Sequence, residues 1–189
     1  MTSKPHLIVI GNGMAGCRAV EEILARDPDK FRITIFGAEP RVNYNRIMLS
    51  PLLAGEKSFE DIIINGHDWY DENAIELVAG DPVASIDRAG RTVTAKSGRI
   101  ESYDKLLIAT GSDPFIIPVP GKDLPGVITF RDMDDVGHML EAANRGGIGD
   151  AEHHRQRKVA LGAGTARLIG QHRREHRDGD GHHDQRGRG

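Results

Sequence analysis

Gly11, Gly13 and Gly16 directly follow an apolar run over residues 7–10 and stand in the spacing G-x-G-x-x-G. That pattern holds a dinucleotide rather than making or breaking a bond. Each glycine has its own physical task. Gly11 permits a tight turn out of a strand, Gly13 lets the backbone approach a pyrophosphate, and Gly16 lets the following helix pack closely on the strand. The first amides of that helix and the positive end of its dipole then favour phosphate charge.

A glycine spacing alone is weak, so the neighbouring elements must agree with it. Four consecutive apolar residues suit a strand buried on both faces of a parallel sheet. Residues 14–26 carry Ala15, Ala19, Val20, Ile23 and Leu24 at helical spacing, and Pro28 ends the pattern. Residues 31–36 read as a second strand. Glu39 lies just past its end, where an acid can hold a ribose hydroxyl. The competing reading is a glycine turn of an unrelated α/β protein with a solvated glutamate. The succession of strand, turn, helix, strand and acid favours the dinucleotide.

Further along, residues 40–45 form a polar turn leading into a short apolar helix over 46–53, which Gly55 stops. The planar guanidinium of Arg46 suits a phosphate oxygen or a ring carbonyl, and equally well a surface salt bridge. Ser58 and Asp61 resemble a capping box ahead of residues 62–64. Trp69, Tyr70 and Ala74 predict another short helix whose aromatics belong to the core. A third strand is expected at 75–78, and a meander over 83–87, 92–95 and 99–103. Residues 106–109 return as a buried strand ending in Thr110-Gly111, where a glycine admits a ligand or serves simply as a turn. Pro114, Pro118, Pro120 and Pro125 stiffen a linker, and residues 132–143 have a helical pattern.

Composition narrows the function classes. A net charge of −3 over 189 residues gives no reason to expect nucleic acid as the principal partner. Cys17 is the only cysteine, which excludes an intrachain disulfide, a Cys-x-x-Cys redox pair and an all-cysteine iron–sulfur site within this chain. The first residues lack the pattern of a signal peptide and no stretch approaches a membrane span, so a cytoplasmic protein with no membrane partner is expected.

Four stretches carry a family resemblance: Gly-Asn-Gly-Met-Ala-Gly at 11–16, Tyr-Asn-Arg-Ile-Met-Leu-Ser at 44–50, Ala-Thr-Gly-Ser-Asp-Pro-Phe at 109–115 and Phe-Arg-Asp-Met-Asp-Asp-Val at 130–136. Together they resemble the N-terminal region of the large subunit of assimilatory NAD(P)H nitrite reductase, within the two-dinucleotide flavoprotein reductases. The resemblance covers residues 5 to about 145. It implies FAD on the first fingerprint, along Gly11, Gly13, Met14, Ala15 and Gly16, with Glu39 at the adenosine ribose and the backbone of Val83 near the adenine. It further implies Arg46 and Arg131 beside the flavin nucleotide, with Ala109, Thr110 and Gly111 passing close to it. In such proteins NAD(P)H gives a hydride to the flavin, and electrons continue through an iron–sulfur cluster to siroheme, where nitrite becomes ammonium. A small nitrite reductase subunit is the implied partner of the full-length protein. No general acid, base, nucleophile or metal ligand is assigned in this chain, and the missing cysteine pair sets it apart from disulfide-using relatives. A rubredoxin or ferredoxin reductase fragment and a catalytically silent flavin-binding fragment are the alternatives.

The resemblance fails towards the end. Six of the nine histidines lie beyond Asp150, where arginine outnumbers lysine eight to one, and Arg167 stands where a second fingerprint needs its third glycine. The expected organisation is therefore a partial FAD domain over 1–118, a linker and helix over 119–147 leading to a missing NAD(P)H domain, and an aberrant or frame-shifted, disordered tail over 148–189. Metal binding by the paired histidines and a nucleic-acid arm are weaker readings of that tail. The expected fold class is α/β: an incomplete Rossmann-like FAD-binding domain with a parallel sheet and a β-meander. Such a chain is expected to be inactive towards nitrite by itself.

Overall fold

The computed structural model describes residues 4–145; the expectations for residues 148–189 lie outside them. Two units are distinguished. Among the described residues the first comprises 4–114 with 130–140, and the second comprises 115–129 with 141–145.

The first unit is built on a four-stranded parallel sheet in the order β5-β2-β1-β9. Its strands are β1 (His6–Ile10), β2 (Arg32–Gly37), β5 (Ile75–Ala79) and β9 (Lys105–Ile108). β1 takes β2 on one side, with Val9 opposite Ile35, and β9 on the other, with Val9 opposite Leu107. The chain therefore reverses its direction of sheet growth at β1, and the crevice outside the carboxyl ends of β1 and β9 is where an open α/β sheet accepts a ligand.

Both faces of this sheet are covered, which explains why the β1 sequence is apolar over residues 7–10 instead of alternating. On one face Leu7, Val9, Ile33 and Ile35 pack with Val20 of α1 (Met14–Arg26) and Tyr70 of α3 (His67–Glu72). On the other, Ile8, Ile10 and Phe36 pack with Val93 and Ala95 of β7 (Thr92–Ala95). β7 is the central strand of an antiparallel sheet with β6 (Val83–Asp87) and β8 (Ile100–Ser102). The layers are thus helices, parallel sheet and meander, in agreement with the α/β expectation.

A smaller core lies beside the sheet. Tyr44 of β3 (Asn43–Tyr44) and Ile62, which directly precedes β4 (Ile63–Asn65) of the same ribbon, pack with Leu49 of α2 (Leu49–Leu53) and Val136 of α4 (Met133–Asn144). The ribbon was not anticipated: two- and three-residue strands leave too little alternation to read. The helix expected over 46–53 is divided into a 3-10 turn, Arg46–Met48, and α2. Ser58 and Asp61 do bond reciprocally, at 2.8 and 3.3 Å, but they introduce the 3-10 turn Glu60–Ile62, which leads directly into β4. Among the described residues no helix is long and apolar enough to cross a membrane.

In the second unit, residues 115–129 run through tight turns in which the Val119 and Leu124 amides donate to the Ile117 and Gly121 carbonyls at 2.8 and 3.1 Å.

Candidate functional site

The turn between β1 and α1 is fixed from two neighbouring strands. The Gly11 amide donates to the Phe36 carbonyl of β2, and the Ala109 amide, just past β9, donates to the Ile10 carbonyl, each at 2.8 Å. The three glycines then separate by cause. Gly11 has φ +115°, and a Cβ there would overlap the Ala109 carbonyl; a side chain at Gly16 would overlap the Gly11 carbonyl and touch Val9. Both are demanded by the protein's own backbone. Gly13 is not: its φ is −99°, and a Cβ there meets nothing within 4 Å. A side chain at Gly13 would occupy open cavity, the space a pyrophosphate would take.

Gly13 is also the N-cap of α1. It offers no side-chain cap, and the first turn contains no acid, so the leading amides and the helix dipole remain available to an anion.

Asn12, between the first two glycines, ties this turn to the rest of the site. Its Nδ2 donates to the Arg41 carbonyl at 3.1 Å, while its Oδ1 accepts from the Tyr70 hydroxyl at 2.8 Å and the Cys17 thiol at 3.2 Å. Burial pushes the Cys17 thiol up to about 11, so it remains a protonated donor at neutral pH. Its role is structural packing.

Glu39 lies beyond the end of β2. One carboxylate oxygen is paired with Arg46 and the other accepts from the Tyr44 hydroxyl at 2.7 Å. Burial, then that bond to Glu39, holds the Tyr44 hydroxyl well above the usual phenol range. The Arg46 guanidinium lies 5.4 Å from the centre of the Tyr44 ring and donates to the Arg131 carbonyl at 3.2 Å. Of the two readings of Arg46, the structure gives an ion pair in a cavity wall, with side-chain exposures of 29% and 18% for Arg46 and Glu39. Each Glu39 oxygen retains a second lone pair, so the carboxylate can still accept a hydroxyl.

The Arg131 guanidinium donates to the Ser112 carbonyl at 3.0 Å and to its hydroxyl at 3.1 Å. Asp132 caps α4 by accepting from the Asp134 and Asp135 amides at 3.0 Å.

These groups surround a cavity of about 470 Å³, within the range of cofactor and ligand pockets. Gly11, Gly13, Met14, Ala15, Glu39, Arg46, Val83, Ala109, Thr110, Gly111 and Arg131 all line it, whereas Gly16 does not and packs against Gly11, Val9 and Ala109. Sequence reasoning missed Asn12, Arg41, Tyr44, Ser112 and Asp132, which also line it. Their signal was proximity: each is within two residues of one already chosen.

Comparison with known proteins agrees with this geometry. The family described as pyridine nucleotide-disulphide oxidoreductase matches residues 5–166. The chain is 51% identical over 142 residues to a nitrite reductase [NAD(P)H] of Bacillus subtilis, covering 75% of this chain and 18% of that protein. It is 44% identical over 165 residues to the assimilatory nitrate reductase electron transfer subunit of the same organism, covering 87% and 20%. Among solved structures, NADH:rubredoxin oxidoreductase from Clostridium acetobutylicum superposes with a TM-score of 0.66 at 33% identity, over 76% of this chain and 37% of that one. The chain spans about a fifth of the length of these two Bacillus relatives. With a dinucleotide turn at the switch point of a parallel sheet and a family match across most of its length, this nitrite reductase-like chain belongs to the pyridine nucleotide-disulphide oxidoreductase family.

Proposed function

We propose that the chain is the FAD-binding portion of an NAD(P)H-dependent nitrite reductase large subunit. The observation that carries this reading is the open space at Gly13 beside the uncapped start of α1, a cradle that no group among the described residues fills. In this reading the α1 amides hold the pyrophosphate, Glu39 accepts from the adenosine ribose, and the Val83 backbone borders the adenine. Arg46 and Arg131 would hold the flavin nucleotide from the sides, and the segment Ala109 to Gly111 would pass close to it. FAD, when bound, supplies the hydride-accepting chemistry towards NAD(P)H. The protein's task is to orient that group and exclude water from it.

For the whole protein the proposed activity is reduction of nitrite to ammonium, with siroheme, an iron–sulfur cluster and a small subunit as further proposed components and the cytoplasm as its location. The proposed domain bounds are 1–118 for the partial FAD domain and 119–147 for the linker and helix. A rubredoxin or ferredoxin reductase is the second reading, favoured by the 33% identity to the rubredoxin reductase structure.

Titration of the purified chain with FAD tests the cofactor assignment. Binding should quench flavin fluorescence and raise the melting temperature as FAD is added, because only the folded state binds. Equal melting with and without saturating FAD, and no protein-bound flavin, would refute it. For the whole protein, ammonium formation from nitrite separates the first reading from the second, in which only rubredoxin or ferredoxin is reduced.

A further inference from the structure

Among the described residues three arginines line the cavity, and the side chains of two have hydrogen bonds within the protein. Arg46 bonds Glu39 and the Arg131 carbonyl, and Arg131 bonds Ser112 twice. Arg41 differs from both. Its Nη1 is buried and, among the described residues, makes no hydrogen bond. Asp134 Oδ1 lies 3.1 Å from that nitrogen, but as a charge contact outside hydrogen-bonding geometry. A buried N–H of a charged group left without an acceptor is costly, and native proteins keep few of them.

We infer that Arg41 is a phosphate-binding residue of the dinucleotide site, and that Asp134 is the counter-charge standing in for the phosphate. The inference rests on the dinucleotide reading above and adds a residue to it. Position supports the assignment. The Arg41 carbonyl is bonded by Asn12, which sits between Gly11 and Gly13, so the Arg41 backbone is tied to the same turn whose amides would hold the pyrophosphate. Asn12 is itself fixed by Tyr70 and Cys17, which limits how far the Arg41 segment can drift from the turn. A guanidinium fork matches two phosphate oxygens, and such charge-assisted pairs are stronger than neutral ones. Asp134, 62% exposed, gives up its role at little cost, since an exposed carboxylate is readily rehydrated.

The test uses the full chain, with FAD titrated calorimetrically and ADP and adenosine measured by displacement of FAD. Arg41→Met should weaken FAD and ADP by roughly ten- to a hundredfold and leave adenosine, which has no phosphate, unchanged. Arg41→Lys, which keeps the charge and loses the fork, should fall between. Asp134→Asn should bind FAD and ADP as tightly as the parent chain or tighter. Unchanged ADP affinity in Arg41→Met would overturn the inference, as would an equal loss of adenosine. A loss in Asp134→Asn matching that of Arg41→Met would also overturn it, because the pair would then be structural. If Arg41→Met fails to fold by circular dichroism, Arg41→Lys and Asp134→Asn decide the matter by the same criteria. Absence of FAD and ADP binding by the parent chain would instead refute the dinucleotide reading itself.

Discussion

At the carboxyl ends of β1 and β9 some polar groups are left open among the described residues: the α1 amides lack a side-chain cap and the Arg41 Nη1 makes no hydrogen bond. At the amino ends of the same sheet they form a closed chain. His6 Nε2 lies 2.9 Å from the Thr34 hydroxyl, which donates to Glu76 at 3.2 Å, and Glu76 is paired with Arg99 at 2.5 Å. The other ring nitrogen, Nδ1, lies 2.6 Å from the Ser102 carbonyl and from Arg32 Nη2. The His6 amide donates to Asp104 at 2.7 Å, completing the set. One end of the sheet therefore uses its polar groups to hold the fold, while the other leaves some donors open. Substitutions at the two ends should separate stability from binding.

The largest effect is expected at the open end. Gly13→Val fills the cavity where the pyrophosphate would sit, yet its φ of −99° suits valine. FAD affinity should fall more than about a hundredfold, roughly 3 kcal/mol, with far-ultraviolet circular dichroism unchanged. Measured affinity equal to the parent chain would show that the turn has no ligand. Gly11→Ala sharpens the contrast from two residues away. The positive φ and the overlap with the Ala109 carbonyl should cost on the order of 2–4 kcal/mol of unfolding free energy, read from urea denaturation without FAD.

At the closed end, Thr34→Val removes the link between His6 and Glu76 and leaves a buried imidazole nitrogen without its partner. A loss of about 1–3 kcal/mol in stability is expected, while FAD affinity of the folded protein stays as it was. A parallel loss of affinity would mean that the two ends are coupled.

The smallest effect is a pH dependence. Burial lowers the His6 pKa below 6.5, and Arg32 adds to this while the Ser102 carbonyl, Glu101 and Glu76 oppose it. The folded state thus binds the proton less readily than the unfolded chain. The His6 contribution is fully present above pH 6.5 and is lost as pH falls below it, with a slope of at most about 1.4 kcal/mol per pH unit. Glu76, held below its usual 4.5 chiefly by its bond to Arg99, also loses its contribution on acidification, but only below about pH 4.5. Urea unfolding between pH 5 and 8 should show the first slope in the parent chain and its absence in His6→Asn. A slope that persists in the variant would assign it to other groups.

Much of the fold was legible because its signals are local. A four-residue apolar run, a glycine spacing, a helical stripe and a terminating proline all lie within residues 7–28, and the strands at 75–79, 83–87, 92–95 and 105–108 emerged within one residue of their expected bounds. The β3-β4 ribbon was not legible, since strands this short are defined by their partner and not by their own pattern. The site divides in the same way. The glycine turn, Glu39 and the Thr110-Gly111 strand end could be found from spacing to a neighbouring strand or helix.

The sequence by itself determined the β-α-β unit, the turn and many of the residues that line the cavity, because backbone conformation and amphipathic period are set by residues a few positions apart. Only the tertiary structure decided which of those side chains are already occupied. Glu39 is paired with Arg46, Arg46 reaches the Arg131 carbonyl across 85 positions of sequence, and Arg41 is left with a buried donor beside Asp134. Such pairings depend on which elements the sheet order and the packed core bring together, and no short-range pattern encodes that.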